Sequence, residues 1–151
     1  MLPEIKILLI SMLPLIEIRG ALPVALFYYS FSFPWALFWS VLGNFIPVLF
    51  LVFFLGKIAN YLSQKIYFFN RFFNWLFSYT RRRHSKKFEY LGALALVLFV
   101  AIPLPLTGAW SGVVAAFVFG ISPKKSLPLI GLGILIAGLI VGIFSLGILR
   151  F

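Results

Sequence analysis

Cysteine and aspartate are both absent from the 151 residues, and histidine occurs once, at position 84. These gaps exclude disulfides, thiol nucleophiles, His/Cys metal cages and any Ser-His-Asp triad. No Walker A sequence is present, so ATP is not the energy source. Three glutamates, Glu4, Glu17 and Glu89, are the whole acidic complement. With scattered Ser and Thr they make no catalytic set, and the chain is read as a non-enzyme without cofactor or metal. Charge itself is scarce: 11% of residues against roughly 25% in soluble chains. Too little polar surface exists to cover a water-facing domain.

What is present is apolar. Hydrophobic residues make up 63% of the chain, so the bilayer is its solvent, and the expected class is an all-α membrane protein. The excess of 13 Lys and Arg over 3 acids reads as cytoplasmic loop charge. A nucleic-acid partner is excluded because no segment builds a basic polar face.

Crossing a hydrocarbon core takes roughly 20 apolar residues. Residues 34–56 and 127–149 meet that length without interruption and are read as transmembrane helices. Trp35 and Trp39 mark an interface end of the first, and glycines in both allow close helix approach. Two further apolar stretches are broken at their centres. Residues 4–31 contain Pro14, Glu17, Arg19, Gly20 and Pro23; residues 89–120 contain Pro103, Pro105, Thr107 and Gly108. Each leaves arms of about a dozen residues, which reach only about 18 Å as helix. Re-entrant hairpins are therefore expected, with a kinked spanning helix as the alternative, since irregular backbone at membrane depth must be satisfied by protein or a wet cavity. Glu4 and the lack of a small-residue cleavage pattern argue against a signal peptide at the start.

The halves repeat. Pro14 answers to Pro103, Gly20-Ala21 to Gly108-Ala109, Pro34 to Pro123 and Gly43 to Gly133, at offsets of 88 to 90. The expected organisation is repeat 1 over 1–56 (hairpin 4–31, span 34–56), a linker over 57–88, and repeat 2 over 89–151 (hairpin 89–120, span 127–149). One span per repeat forces the two hairpins to enter from opposite faces. The linker holds Lys57, Lys65, Arg71, Arg81, Arg82, Arg83, Lys86 and Lys87 and is placed on the cytoplasmic side of a multi-pass cell-membrane protein. Its polar positions Lys57, Asn60, Gln64, Tyr67, Arg71, Asn74 and Ser78 step by three and four, which predicts one amphipathic interfacial helix contacting anionic headgroups. His84 sits among like charges and reads as part of that solvated run.

Glu17 and Arg19 are the ionisable groups at plausible membrane depth, and such groups mark functional sites because burying them is costly. The bland alternative is an ion pair that neutralises a hairpin tip. After each break a new half-helix begins, at Gly20 with Pro23 in its first turn and at Thr107-Gly108, where the Thr hydroxyl is an expected N-cap. Both N-termini then point unpaired N–H groups at the midplane. The candidate site is Glu17, Arg19, Gly20, Pro23, Pro103, Pro105, Thr107 and Gly108, with Asn44 and Trp110 as lining groups.

The strings Glu17-Ile18-Arg19-Gly20-Ala21-Leu22-Pro23, Leu42-Gly43-Asn44 and Phe99 through Trp110 resemble the small multidrug export protein family over nearly the whole chain. That family in turn resembles the DedA membrane proteins, whose facing re-entrant hairpins are associated with lipid translocation. The resemblance implies a polytopic inner-membrane protein of transporter-like architecture. In the DedA pattern the second hairpin carries an Arg-containing motif; here Thr107 stands in its place. The expected function is a proton-coupled secondary transporter exporting small molecules with an anionic group. The alternatives are a DedA-like lipid-phosphate flippase or scramblase and a non-transporting membrane-shaping protein. A homodimer is an expected way to cover the hairpin tips.

Overall fold

The structure, a computed structural model, describes residues 1–81 and 86–150 and contains seven α-helices with no strand among those residues. α1 (Pro3–Met12) opens on a proline, whose missing N–H leaves nothing unpaired in a first turn. It ends because Pro14 holds Leu13 in an extended conformation, φ −72° and ψ 132°. α2 (Glu17–Phe27) follows after four residues. α3 (Phe33–Lys65) and α7 (Pro123–Leu149) start alike, on Ser32 and Ser122 in extended conformation with proline in the first turn. Between them lie α4 (Tyr67–Arg81), α5 (Lys86–Ala101) and α6 (Ala109–Val118).

Length sorts the helices. At 1.5 Å per residue α1, α2 and α6 extend about 15 Å, half of a hydrocarbon core, and α5 about 24 Å. α3, with 33 residues, and α7, with 27, exceed the core thickness. These two are long and apolar enough to cross a membrane.

The short helices pack in pairs around the long ones. α1 and α2 lie against each other and against α3; α5 and α6 lie against each other and against α7. α2 also reaches α7, α6 reaches α3, and α3 packs directly on α7. The core at this junction comprises Ile7, Ile18, Leu22, Val48, Val100, Ile130 and Ile134, all fully buried or nearly so. Two glycines let the short helices pack closely on the long ones. A Cβ at Gly43 would collide with the backbone of Leu8 and with Ser11 on α1; one at Gly133 would collide with Val100 and crowd the Val97 carbonyl on α5. The outer faces of α3 and α7 expose Phe50, Phe53, Phe54, Ile143 and Phe144. Apolar exteriors on this scale suit a protein surrounded by lipid.

The linker differs from expectation. α3 continues through Gly56 and Lys57 to Lys65, since a lone glycine costs a helix only about 1 kcal/mol relative to alanine. The chain then breaks at Ile66, φ −126° and ψ 116°. The polar stripe expected on one helix is thereby divided, with Lys57, Asn60 and Gln64 on α3 and Tyr67, Arg71, Asn74 and Ser78 on α4. Asn74 donates to Asn70 Oδ1 at 2.5 Å, one turn away on the same polar face. Arg82, Arg83 and His84 of the basic run lie outside the described residues.

Candidate site at the two helix breaks

The break between α1 and α2 and the break between α5 and α6 lie side by side with residues 13–16 and 102–106 exposed, and beneath them the charges that follow the first break engage the backbone of the second. Arg19, in the first turn of α2, donates through Nη2 to the Thr107 carbonyl at 2.5 Å and to Thr107 Oγ1 at 2.9 Å. Its Nη1 donates to the Leu104 carbonyl. Glu17 is 3% exposed, and its Oε1 accepts the main-chain N–H of Trp110 at 3.3 Å. These contacts span 85 to 93 residues of sequence.

The second break is shaped to receive them. Pro103 and Pro105 carry no N–H, which reduces the number of backbone donors the loop must satisfy. Leu106 takes a left-handed φ of 69° and turns the chain toward α6. Thr107 Oγ1 lies 2.7 Å from both the Ile102 and Leu104 carbonyls and accepts the Leu104 N–H at 3.2 Å, so this one hydroxyl braces the loop. Gly108, the N-cap residue of α6, has φ 128° and ψ −166°, a conformation open to glycine. Its Cα faces Glu17 so closely that a Cβ there would collide with the carboxylate. Glu17 itself begins α2 with a left-handed φ of 50°, uncommon for a side chain other than Gly, Asn or Asp.

Electrostatically, each charge sits on a complementary dipole. The first-turn N–H groups and positive end of α6 face the Glu17 carboxylate, and the carbonyls at the end of the α5–α6 loop face the Arg19 guanidinium. The two residues do not form an ion pair with each other. Among the described residues the one ion pair is Lys125 with Glu89, at 3.8 Å on the surface.

Of the residues singled out from sequence, Glu17, Arg19, Thr107, Gly108 and Trp110 come together here. Thr107 does so differently from expectation, for α6 has no side-chain cap and the Thr hydroxyl turns back into the loop. Trp110 contributes its backbone N–H; its indole Nε1 is buried without a hydrogen-bond partner. Gly20 admits the Ile16 side chain against α2. Pro23, one turn further along, leaves the Arg19 carbonyl without its helical donor. Pro103 and Pro105 are exposed on the outer side of the loop. Asn44 is 1% exposed on α3, beside the Gly43 contact with α1, and its Oδ1 has no partner. Sequence reasoning missed the Leu104 carbonyl, whose signal is its place between two prolines. It also missed Ser11, which donates to the Ser40 carbonyl at 2.5 Å and ties α1 to α3.

A family model described as "Putative small multi-drug export protein" matches residues 17–140, a stretch that begins at Glu17 just after the first break and includes the second break, all of α3 and most of α7. No curated protein and no solved structure matches the chain.

Proposed function

The chain belongs to the small multi-drug export protein family, and from that premise we propose a secondary transporter of the cell membrane in which protonation of Glu17 admits the anionic group of a small substrate, so that proton and substrate occupy the site together. The observation that carries this reading is the seat of the Glu17 carboxylate. A helix N-terminus inside the bundle, the natural seat for a substrate anion, holds the protein's own anion instead. Protonation removes the charge that α6 attracts and frees its first-turn N–H groups for an incoming carboxylate or phosphate. Deprotonation returns Glu17 and displaces the ligand. Arg19 keeps the second break in shape while this happens and lends positive potential to the seat. No bond of the substrate changes in this scheme, and no cofactor is required.

The architecture that serves it is two inverted repeats, each a re-entrant hairpin plus one span. Corresponding contacts support this. Gly43 packs on Leu8 and Ser11, and Gly133 packs on Val97 and Val100, their counterparts at an offset of 89. Arg19 and Thr107, offset by 88, touch each other, as equivalent positions do beside a pseudo-two-fold axis. The basic connector is cytoplasmic in this arrangement. The exposed tips, Leu15 at 95% and Leu106 at 91%, are covered by a second copy.

The test is pH-gradient-driven movement of a fluorescent carboxylate in proteoliposomes. Glu17→Gln lowers the driven flux at least about tenfold, and Arg19→Ala lowers it as well. Unchanged flux in both variants removes the mechanism. The same exposed tips favour one second reading, a DedA-like lipid flippase or scramblase with a site open sideways to the bilayer. A dithionite assay on fluorescent phospholipid separates the two, because scrambling needs no gradient.

A further inference from the structure

The two ends of the bundle differ where the repeats make them equivalent. At one end the ring of Phe33, just before Pro34, packs so tightly on α7 that a Cβ at Gly142 would collide with it. At the other end the residue just before Pro123 is Ser122, with no ring to offer. The counterpart of Gly142, at the offset of 90 that relates Gly43 to Gly133, is Val52 on α3. There, between α3, α6 and the start of α7, lies an apolar cavity of about 190 Å³ lined chiefly by Val52, Leu55, Val113, Ala116, Phe117 and Ile121. One end of the molecule thus supplies its own aromatic plug, and the other leaves a slot for an apolar group from outside.

The charge at the mouth identifies the owner of that group. The slot also touches Gly56 and Pro123, which are followed by Lys57 and by Lys124-Lys125. Lys125 is engaged by Glu89, whereas Lys57 and Lys124 are exposed and have no ion-pair partner among the described residues. α7 begins at the same place, on Ser122, which forms no side-chain cap. Lys57 rests its ammonium over the Phe54 ring at 5.6 Å. An apolar slot whose lining residues Gly56 and Pro123 are followed by two lysines without an ion-pair partner among the described residues, and which reaches a helix N-terminus, complements a chain with an anionic head. Surrounding lipid supplies that chemistry in the right orientation. We infer that this slot is a binding site for an anionic glycerophospholipid, with part of one acyl chain between α3 and α6 and the phosphate held by Lys57, Lys124 and the start of α7. The identification of the slot as the unfilled counterpart of the Phe33 contact rests on the repeat architecture proposed above.

The full-length chain, extracted in mild detergent and returned to nanodiscs of phosphatidylcholine with graded phosphatidylglycerol, tests this by native mass spectrometry of retained lipid. The wild type keeps one phosphatidylglycerol per chain in preference to phosphatidylcholine. Ser122→Phe, which supplies the ring that Phe33 supplies at the other end, removes the retained lipid while circular dichroism stays helical. Lys124→Gln keeps a lipid but lowers the preference for phosphatidylglycerol about fivefold. Equal retention of both lipids by the wild type overturns the site, as does undiminished phosphatidylglycerol in Ser122→Phe. Should Ser122→Phe fail to fold, an unchanged preference in Lys124→Gln overturns it alone. Side-specific labelling of the hairpins is read separately, so loss of the lipid result with opposed labelling intact removes the slot and leaves the repeats standing.

Discussion

The two breaks occupy equivalent places in the two halves, yet they are built from opposite materials. The first is four residues long, Leu13 to Ile16, and is followed at once by Glu17 and Arg19. The second runs from Ile102 to Gly108, carries no charge, and presents carbonyls, one hydroxyl and the N-terminus of α6. One half supplies ions and the other supplies dipoles that receive them. At Gly43 and Gly133 both halves use a glycine to let a short helix pack closely on a long one, whereas at the breaks the two halves differ in chemistry.

The comparison can be broken most forcefully at Gly108. Gly108→Ala forces a Cβ into the Glu17 carboxylate and strains a φ of 128°, and should destabilise the protein by about 3 kcal/mol, with driven flux lost. Its counterpart Gly20→Ala meets Ile16 Cγ2, a branch that moves only with χ1, but it has no left-handed φ to strain and meets no carboxylate, and should cost less, about 1 to 2 kcal/mol, in the same thermal melt. Equal shifts in the two melts would show that the breaks are not specialised as described.

Arg19→Ala comes next. It strands the Thr107 carbonyl and removes one partner each from the Leu104 carbonyl and the Thr107 hydroxyl, which keep their contact with each other, and should cost about 2 kcal/mol, with Arg19→Lys recovering part because an ammonium reaches fewer of these acceptors at once. Thr107→Val is the mildest. It keeps the shape and removes the hydroxyl brace, costing about 1 kcal/mol, and with Arg19→Ala it should be less than additive because the two share a hydrogen bond. Full additivity in a double-mutant cycle would mean that the Arg19–Thr107 bond carries no coupling.

Much of this arrangement is legible in the sequence because membrane depth makes proline and charge conspicuous. Pro14 and Pro103 mark where the apolar runs cannot stay helical, and Glu17 and Arg19 stand out in an apolar stretch. Backbone donors and acceptors carry no such mark. That Arg19 would reach the Leu104 carbonyl, or Glu17 the Trp110 N–H, depends on how two loops are turned, and that is set by packing 85 to 93 residues apart. Thr107 reads as an N-cap by local rules, and the tertiary demand of Arg19 and the loop carbonyls overrides them. The break at Ile66 has no proline or glycine to announce it, so one amphipathic helix was the natural reading of two.

The central claim is that the hairpins enter from opposite faces and meet at their tips. It is tested most directly by side-specific labelling in a chain with no native cysteine. Single cysteines at Leu2, Ser32, Tyr90 and Ser122, all exposed ends of hairpin arms, are treated with an impermeant thiol reagent in sealed vesicles of known orientation. The account predicts that positions 2 and 32 label from one side and positions 90 and 122 from the other. Labelling of 2 and 32 from opposite sides would make the first broken stretch a spanning helix and contradict it.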